Sequence, residues 1–469
     1  MKLLLVALGL GALGDLLLRS APSGVGVSLW ILALALAVGL LRSPGPRILP
    51  FLAAVFGMGF AWRDAPILQA LFGAAAVVAW AAAFVDRPSR AGVTSLSLAY
   101  LAATLSAAVA PLIVPRARGI GGRGMPRRVR YGLAGVALAA PLLLAFGTLF
   151  AAADPLFARY TSDLARALDD ALRHGATALV VAWLTGGLIA GLALARVPAD
   201  LELDRPRASV GHAIGFALLL VALLFAAFLA VQARALMGGH DWIETQVGVS
   251  YAEYARRGFF QLLAAAGIAL PVVLLADWAV APGDGLRRTM VVLCAALVVM
   301  VLAVLASAAR RMLLYVDAYG LTELRLYASA AMAWLAIGFV AFAAVAIRGW
   351  RERFAWLTLS AGGAIVLALG ILNPAAAIVR HNAARAQSSG AEFDGGYATS
   401  LGPDAVPALL DVLASLPPAA RCGVARDLLD RAAAPAEGDW RAFNVSRTLA
   451  RSSLASSTTA LEEIASGCP

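Results

Sequence analysis

The chain has 469 residues, of which 61% are hydrophobic and only 14% charged, with a net charge of +10. Mean hydropathy is +0.82. A soluble chain of this length carries about a quarter of its residues as charges, so this composition excludes an ordinary water-covered surface and requires lipid over much of it. The positive charge is almost wholly arginine, since Lys2 is the only lysine. These arginines sit in short loops between apolar runs rather than in one patch, which fits membrane orientation and not nucleic-acid binding.

Apolar segments recur from the N-terminus to about residue 372. Spans are read near 3–18, 27–41, 48–61, 66–85, 92–114, 131–153, 176–195, 212–231, 259–280, 289–309, 326–347 and 354–372. The first three are short, so the expectation is 10–13 spans. Segment 3–18 reads as a short first span rather than a signal peptide, because Asp15 and Arg19 follow its apolar run without an evident cleavage site. Lipid offers the backbone no hydrogen-bond partner, so each span must be helical. The expected fold is all-α, a polytopic transmembrane bundle. Its parts are N-terminal transmembrane helices over 1–115, an Arg-rich cytoplasmic loop over 116–130, a transmembrane core over 131–372 and a soluble helical C-terminal domain over 373–469. Gly187 with Gly191, and Gly211 with Gly215, have the small-xxx-small spacing that lets helix backbones approach closely.

Loop charge sets the orientation. The cluster Arg116, Arg118, Arg123, Arg127, Arg128 and Arg130 is expected in the cytoplasm. Counting outward from it puts the loops at 154–175, 232–258 and 310–325 outside, together with everything after 372. A bacterial plasma (inner) membrane protein with an extracytoplasmic C-terminus follows. Beyond Asn373-Pro374 the apolar runs shorten. Helices are expected after Pro403, over 419–433, over 439–452 and, past a Ser/Thr stretch, over 458–465. Cys294 lies mid-span. Cys422 and Cys468 share the C-terminal segment, where they could pair if it lies outside the cytoplasm and stay free if it does not.

Catalytic motifs are sparse. Gly119, Gly121 and Gly124 satisfy G-x-G-x-x-G, but without the strand and βαβ unit that dinucleotide binding needs. The histidines are scattered, so no metal site is expected, and no cofactor. Two polar stretches stand out. One runs from Gly248 to Gly258 and holds Tyr251, Glu253, Tyr254, Arg256 and Arg257. The other runs from Arg310 to Tyr327 and holds Asp317, Tyr319, Glu323 and Arg325. A break at Gly320, with Thr322 capping the next helix, would bring Asp317 and Glu323 close to arginines. Both stretches read as interfacial belts of aromatic residues and salt bridges, or as a ligand or proton site. Asp15 and Asp277 lie within or at the ends of spans and have no partner identifiable in the sequence.

Val249-Ser-Tyr-Ala-Glu-Tyr-Ala-Arg-Arg-Gly-Phe-Phe-Gln-Leu-Leu263 and Leu314-Tyr-Val-Asp-Ala-Tyr-Gly-Leu-Thr-Glu-Leu-Arg-Leu-Tyr327 resemble a family of bacterial multi-pass membrane proteins catalogued as domains of unknown function 4153/4173. Asn373-Pro374, Arg380-His-Asn382 and Tyr397…Leu401-Gly-Pro-Asp-Ala-Val-Pro-Ala-Leu409 are similar to its C-terminal portion. The resemblance covers roughly 130–410 and leaves the first five spans outside. It implies the membrane architecture and no chemistry. The expected role is a non-enzymatic one in envelope signalling, scaffolding or maintenance, with the lipid bilayer and a protein docking on the C-terminal domain as partners. A transporter or lipid flippase is the first alternative. A membrane-embedded transferase or hydrolase, with Asp317, Glu323 or Glu253 as acid or base, is the second.

Overall fold

The computed structural model describes residues 2–19, 22–41, 48–85, 87–117, 155–194, 197–198, 208–237, 259–280, 285–348, 351–434 and 438–468. It is all-helical. Among the described residues the only β pairing is a single bridge between Val85 and Val197. The chain divides into one unit of Met1–Ala199 with Pro435–Thr448, and a second of Asp200–Ala434 with Leu449–Pro469.

The first unit contains α1 (Lys2–Leu18), α2 (Val25–Leu41), α3 (Ile48–Gly57), α4 (Gly59–Trp62), α5 (Pro66–Ala82), α6 (Val93–Ala117) and α7 (Pro155–Leu194). The sequence places a loop at 154–175. The structure instead continues α7 through it as one helix of 40 residues, because Pro155 opens the helix and no glycine or proline interrupts it before His174. The expected span at 131–153 lies outside the described residues.

Glycine lets α1 and α7 approach closely. A methyl at Gly11 would lie 2.5 Å from the Cβ of Ala182, and one at Gly14 would lie 2.5 Å from Val181. Gly187 and Gly191 of α7 are filled in the same way by the backbone and side chain of α6 around Ser106. Gly211 and Gly215, in the second unit, meet their neighbours only at ordinary distances of 3.6 and 3.4 Å. Asp15, without a partner in the sequence, has one here: its carboxylate lies 2.5 Å from His174 Nδ1.

The second unit holds α8 (Ala208–Met237), α9 (Phe259–Ala279), α10 (Arg287–Tyr319), α11 (Glu323–Arg348) and α12 (Phe354–Leu372). After them come α13 (Pro374–Ser389), α14 (Gly395–Ser400), α15 (Val406–Val412), α16 (Pro418–Ala433) and α17 (Val445–Ser466), the last belonging to this unit from Leu449 onward. On α10, Met290, Cys294, Leu297, Val301, Val304, Ala308 and Met312 follow the helical period and are buried against α8, α9 and α11. Its opposite face exposes Val292 and Val299, the latter by 66%, and such a face needs lipid. Among the described residues, six helices are long and apolar enough to cross a membrane: α8, α9, α10, α11, α12 and the 173–192 part of α7. Five shorter apolar helices accompany them. This is an integral membrane protein.

Asp277 also gains a partner the sequence does not show. Arg287 Nη2 lies 2.5 Å from its carboxylate, while Nη1 donates to the carbonyls of Asp277 and Val280 and closes the end of α9. Short connections make α9 through α12 run alternately up and down. Phe259, Tyr319, Glu323 and Leu372 therefore share one end, and Ala279, Arg287, Arg348 and Phe354 share the other.

Beyond Asn373, α13, α15 and α16 bury Ile378, Val379, Val406, Leu409, Val424 and Leu428. Two helices expected over 439–452 and 458–465 are one, α17. Its Ser/Thr stretch stays helical because the hydroxyls of Ser452, Ser456 and Thr458 donate to carbonyls three or four residues earlier, so they do not compete for capping positions. Cys422 and Cys468 form a disulfide, with Cα atoms 5.8 Å apart.

Candidate functional site

The described polar stretch lies at the hairpin tip between α10 and α11. At 1.5 Å per residue, the 33 residues of α10 extend about 50 Å, well beyond the ~30 Å hydrocarbon. Its apolar part ends near residue 309, about ten residues or ~15 Å short of the tip. The helix stops at Gly320, whose φ of +79° is open to glycine and strained for other residues. Its N–H donates to Val316 at 2.7 Å. Thr322 begins α11: its carbonyl accepts from Leu326 N–H, and its hydroxyl lies 3.5 Å from Arg325 N.

Side chains from far along the chain fix this turn. Asn382 on α13 engages Leu321 twice, accepting its N–H at 2.7 Å and donating to its carbonyl at 2.9 Å. No Cβ fits at Gly320, because it would lie 2.7 Å from the same Asn382 oxygen. Arg385, one turn further along α13, donates to Ala318 O at 3.3 Å. Tyr397 on α14 accepts the N–H of Glu323 at 2.8 Å. Burial pushes the Tyr397 hydroxyl above its usual range, and the nearby Glu323 carboxylate adds to that. Tyr397 is itself placed by Asp394, which caps α14 by accepting its N–H at 2.8 Å.

Arg325 donates to Gly320 O and lies 3.9 Å over the ring of Tyr315. That ring meets Tyr319 edge to face at 5.2 Å. Asn373, at φ +53°, caps α13 through Ala376 N–H and donates to the carbonyl of buried Asp404 at 3.0 Å.

The residues singled out in the sequence fare differently. Asp317 and Tyr319 are exposed, while Glu323 and Arg325 are half-buried. The helix breaks at Gly320. Among the described residues neither Asp317 nor Glu323 forms an ion pair, because Arg325 is turned to Tyr315 and Gly320. Tyr251, Glu253, Tyr254, Arg256 and Arg257 lie outside the described residues. Asn382, Arg385 and Tyr397 complete the turn but were not singled out as site residues. The family-like motifs at 373–382 and 397–409 contain Asn382 and Tyr397, and neither contains Arg385.

Residues 51–412 match a protein family described as Domain of unknown function (DUF4153). The chain belongs to this family. The match begins at residue 51, so the family segment takes in most of α3 and all of α4 to α6; of the first five spans expected outside it, only the first two are. No curated protein and no solved structure matches the chain. Three stretches that resemble the family, at 314–327, 373–382 and 397–409, meet at this one turn. Asn382, Arg385, Tyr397 and Arg325 each engage a backbone group of the turn, so the arrangement is suited to holding the hairpin tip against α13 and α14.

Proposed function

We propose that this DUF4153 protein is a non-enzymatic envelope protein, acting in signalling, scaffolding or maintenance. In this reading the α10–α11 hairpin tip and α13–α14 form a rigid joint that carries the C-terminal helices as a docking element for a partner protein. The observation behind it is the paired hydrogen bonding of Asn382 to Leu321. Bonding the N–H and the C=O of one residue, on the two peptide groups either side of it, fixes the geometry of the turn and uses both polar atoms of the Asn382 amide.

A bacterial plasma (inner) membrane location, with the joint and C-terminal helices outside the cytoplasm, has two supports; it takes the ends of α1, α2 and α4 that bond to residues 441–447 to the outer side as well, against the count back from Arg116–Arg130, which puts those ends inside. Disulfides persist in oxidising compartments, and Cys422–Cys468 lies in this segment. Arg287, Arg288, Arg348, Arg351 and Arg353 gather at the opposite end of α9–α12, where the positive-inside rule puts the cytoplasm. The transporter reading draws on intramembrane acids, but Asp277 is spent on Arg287 and Asp15 on His174. The transferase or hydrolase reading sets Asp317, Glu323 or Glu253 beside Arg256, Arg257, Arg311 or Arg325; of these Arg325 is engaged by Tyr315 and Gly320, and Glu253, Arg256 and Arg257 lie outside the described residues.

The test compares cells lacking the gene with cells carrying a chain truncated after residue 373, once membrane fractionation shows that the truncated chain inserts. The truncation is expected to reproduce the loss of the whole gene. A truncated chain that restores the wild-type phenotype contradicts the docking role.

A further inference from the structure

In the first unit, residues 438–448 lie across the ends of the short apolar helices. Phe443 O accepts the N–H of Val25, the first residue of α2, at 2.8 Å. Arg441 donates to Leu16 O at the end of α1, at 2.7 Å. Asn444 donates to Phe60 O and Arg63 O, and Ser446 donates to Trp62 O, at the end of α4. Arg447 pairs with Asp64 at 3.1 Å and donates to Ser23 O. No side chain fits at Gly24, where a Cβ would lie 2.8 Å from the backbone of Ala442.

These bonds fix the depth of the segment. Leu16 and Val25 end apolar helices whose other faces expose Leu5, Leu8 and Leu32, faces that only lipid can cover. With α1 and α2 in lipid, backbone bonded to those ends would sit where hydrocarbon gives way to headgroups. At that level it exposes Trp440 by 58% and Phe443 by 49%, with Val445 beside them. Aromatic side chains are enriched at this level of a membrane, where an apolar ring and a polar rim are both satisfied. Charge is kept out of the way: Asp439 caps the turn and is bound by Arg441 at 2.6 Å.

We propose that residues 439–445 are an interfacial membrane anchor, with Trp440 and Phe443 seated in the headgroup layer beside α1 and α2. The occupant of this exposed apolar surface is the lipid that covers α1 and α2, since the two surfaces are continuous at Leu16 and Val25.

The test uses the full chain with Cys294→Ser, reconstituted in phosphatidylcholine vesicles and kept oxidised so that Cys422–Cys468 does not react. Trp440→Cys and Phe443→Cys are made separately, so each variant retains the other aromatic, and labelled with an environment-sensitive fluorophore. Ser456→Cys serves as the reference. Vesicles carry nitroxide quenchers at the headgroup, at a shallow acyl position or at a deep acyl position, in both leaflets. Blue-shifted emission at both sites is expected, with quenching severalfold stronger from headgroup and shallow nitroxides than from deep ones and severalfold above Ser456. Emission and quenching equal to Ser456 would overturn the proposal. So would quenching strongest from the deep position, which would put the segment inside the hydrocarbon.

Discussion

Asn382 is the residue on which the joint depends. Its amide satisfies the backbone N–H and C=O of Leu321, both part-buried; a fully buried backbone group left unpaired costs about 1–3 kcal/mol, so the loss here falls toward the lower end of that range. Asn382→Ala is expected to lower the thermal midpoint in detergent and to raise amide exchange at Leu321 and Glu323. Exchange unchanged at those amides would show that the bonds are not formed. Gly320→Ala should be at least as damaging, since it combines strain of about 1–3 kcal/mol at positive φ with the contact to Asn382 Oδ1 at 2.7 Å. Tyr397 adds a pH dependence. Burial raises its hydroxyl above the usual value of about 10, so the folded state holds its proton more tightly than the unfolded state. The contribution is therefore full below pH ~10 and is lost as pH rises through the higher folded value. Tyr397→Phe should remove that alkaline loss from the stability profile, and an unchanged profile would contradict it. At this scale the sequence was partly legible. The break at Gly320 and the cap at Thr322 could be read from local residue types. The partners of Asp15, Asp277 and Leu321 could not: His174 and Asn382 stand 159 and 61 residues away from theirs, and Arg287, though only ten residues on, lies across a turn.

Helices follow the hydropathy closely, because a segment in lipid has no other way to satisfy its backbone. The boundaries at Leu372 and Asn373, and those of α9, α12 and α16, lie within a residue or two of the positions expected from sequence. Failures come where polar residues remain helical, as along 155–172 and in the Ser/Thr run of α17. Helix length gives a further expectation. α1, α2 and α5 have 17 residues each, about 25 Å of helix against the ~30 Å of a typical hydrocarbon layer. Shorter acyl chains should match them better. Thermal stability in vesicles is expected to rise as acyl length falls from an average to a modestly thinner bilayer. A steady fall over that range would mean that these helices do not set the local thickness. The Asp277–Arg287 pair ties α9 to α10 with both side chains largely buried. Arg287→Met alone should be destabilising by up to about 3–5 kcal/mol, by removing the arginine from a largely buried carboxylate, and adding Asp277→Leu should recover much of it. Additive losses in the double variant would contradict a coupled pair.

For the whole molecule, two units emerge in which the C-terminal hundred residues are shared. Residues 438–448 belong with the N-terminal helices, and the rest of this segment with the core that follows residue 199. Composition announces the membrane at once. It is silent on this division, which depends on hydrogen bonds such as that from Arg441 to Leu16, 425 residues apart. In the proposed topology the C-terminal helices face an oxidising compartment while the arginine-rich ends of α9–α12 face the cytoplasm. The most direct test is labelling of Cys422 and Cys468 by a membrane-impermeant thiol reagent in intact cells, with Cys294→Ser as background. Labelling that occurs only after prior reduction is the predicted result. Labelling that requires lysis, whether or not the cells are first reduced, would put the joint and its helices in the cytoplasm and contradict the account.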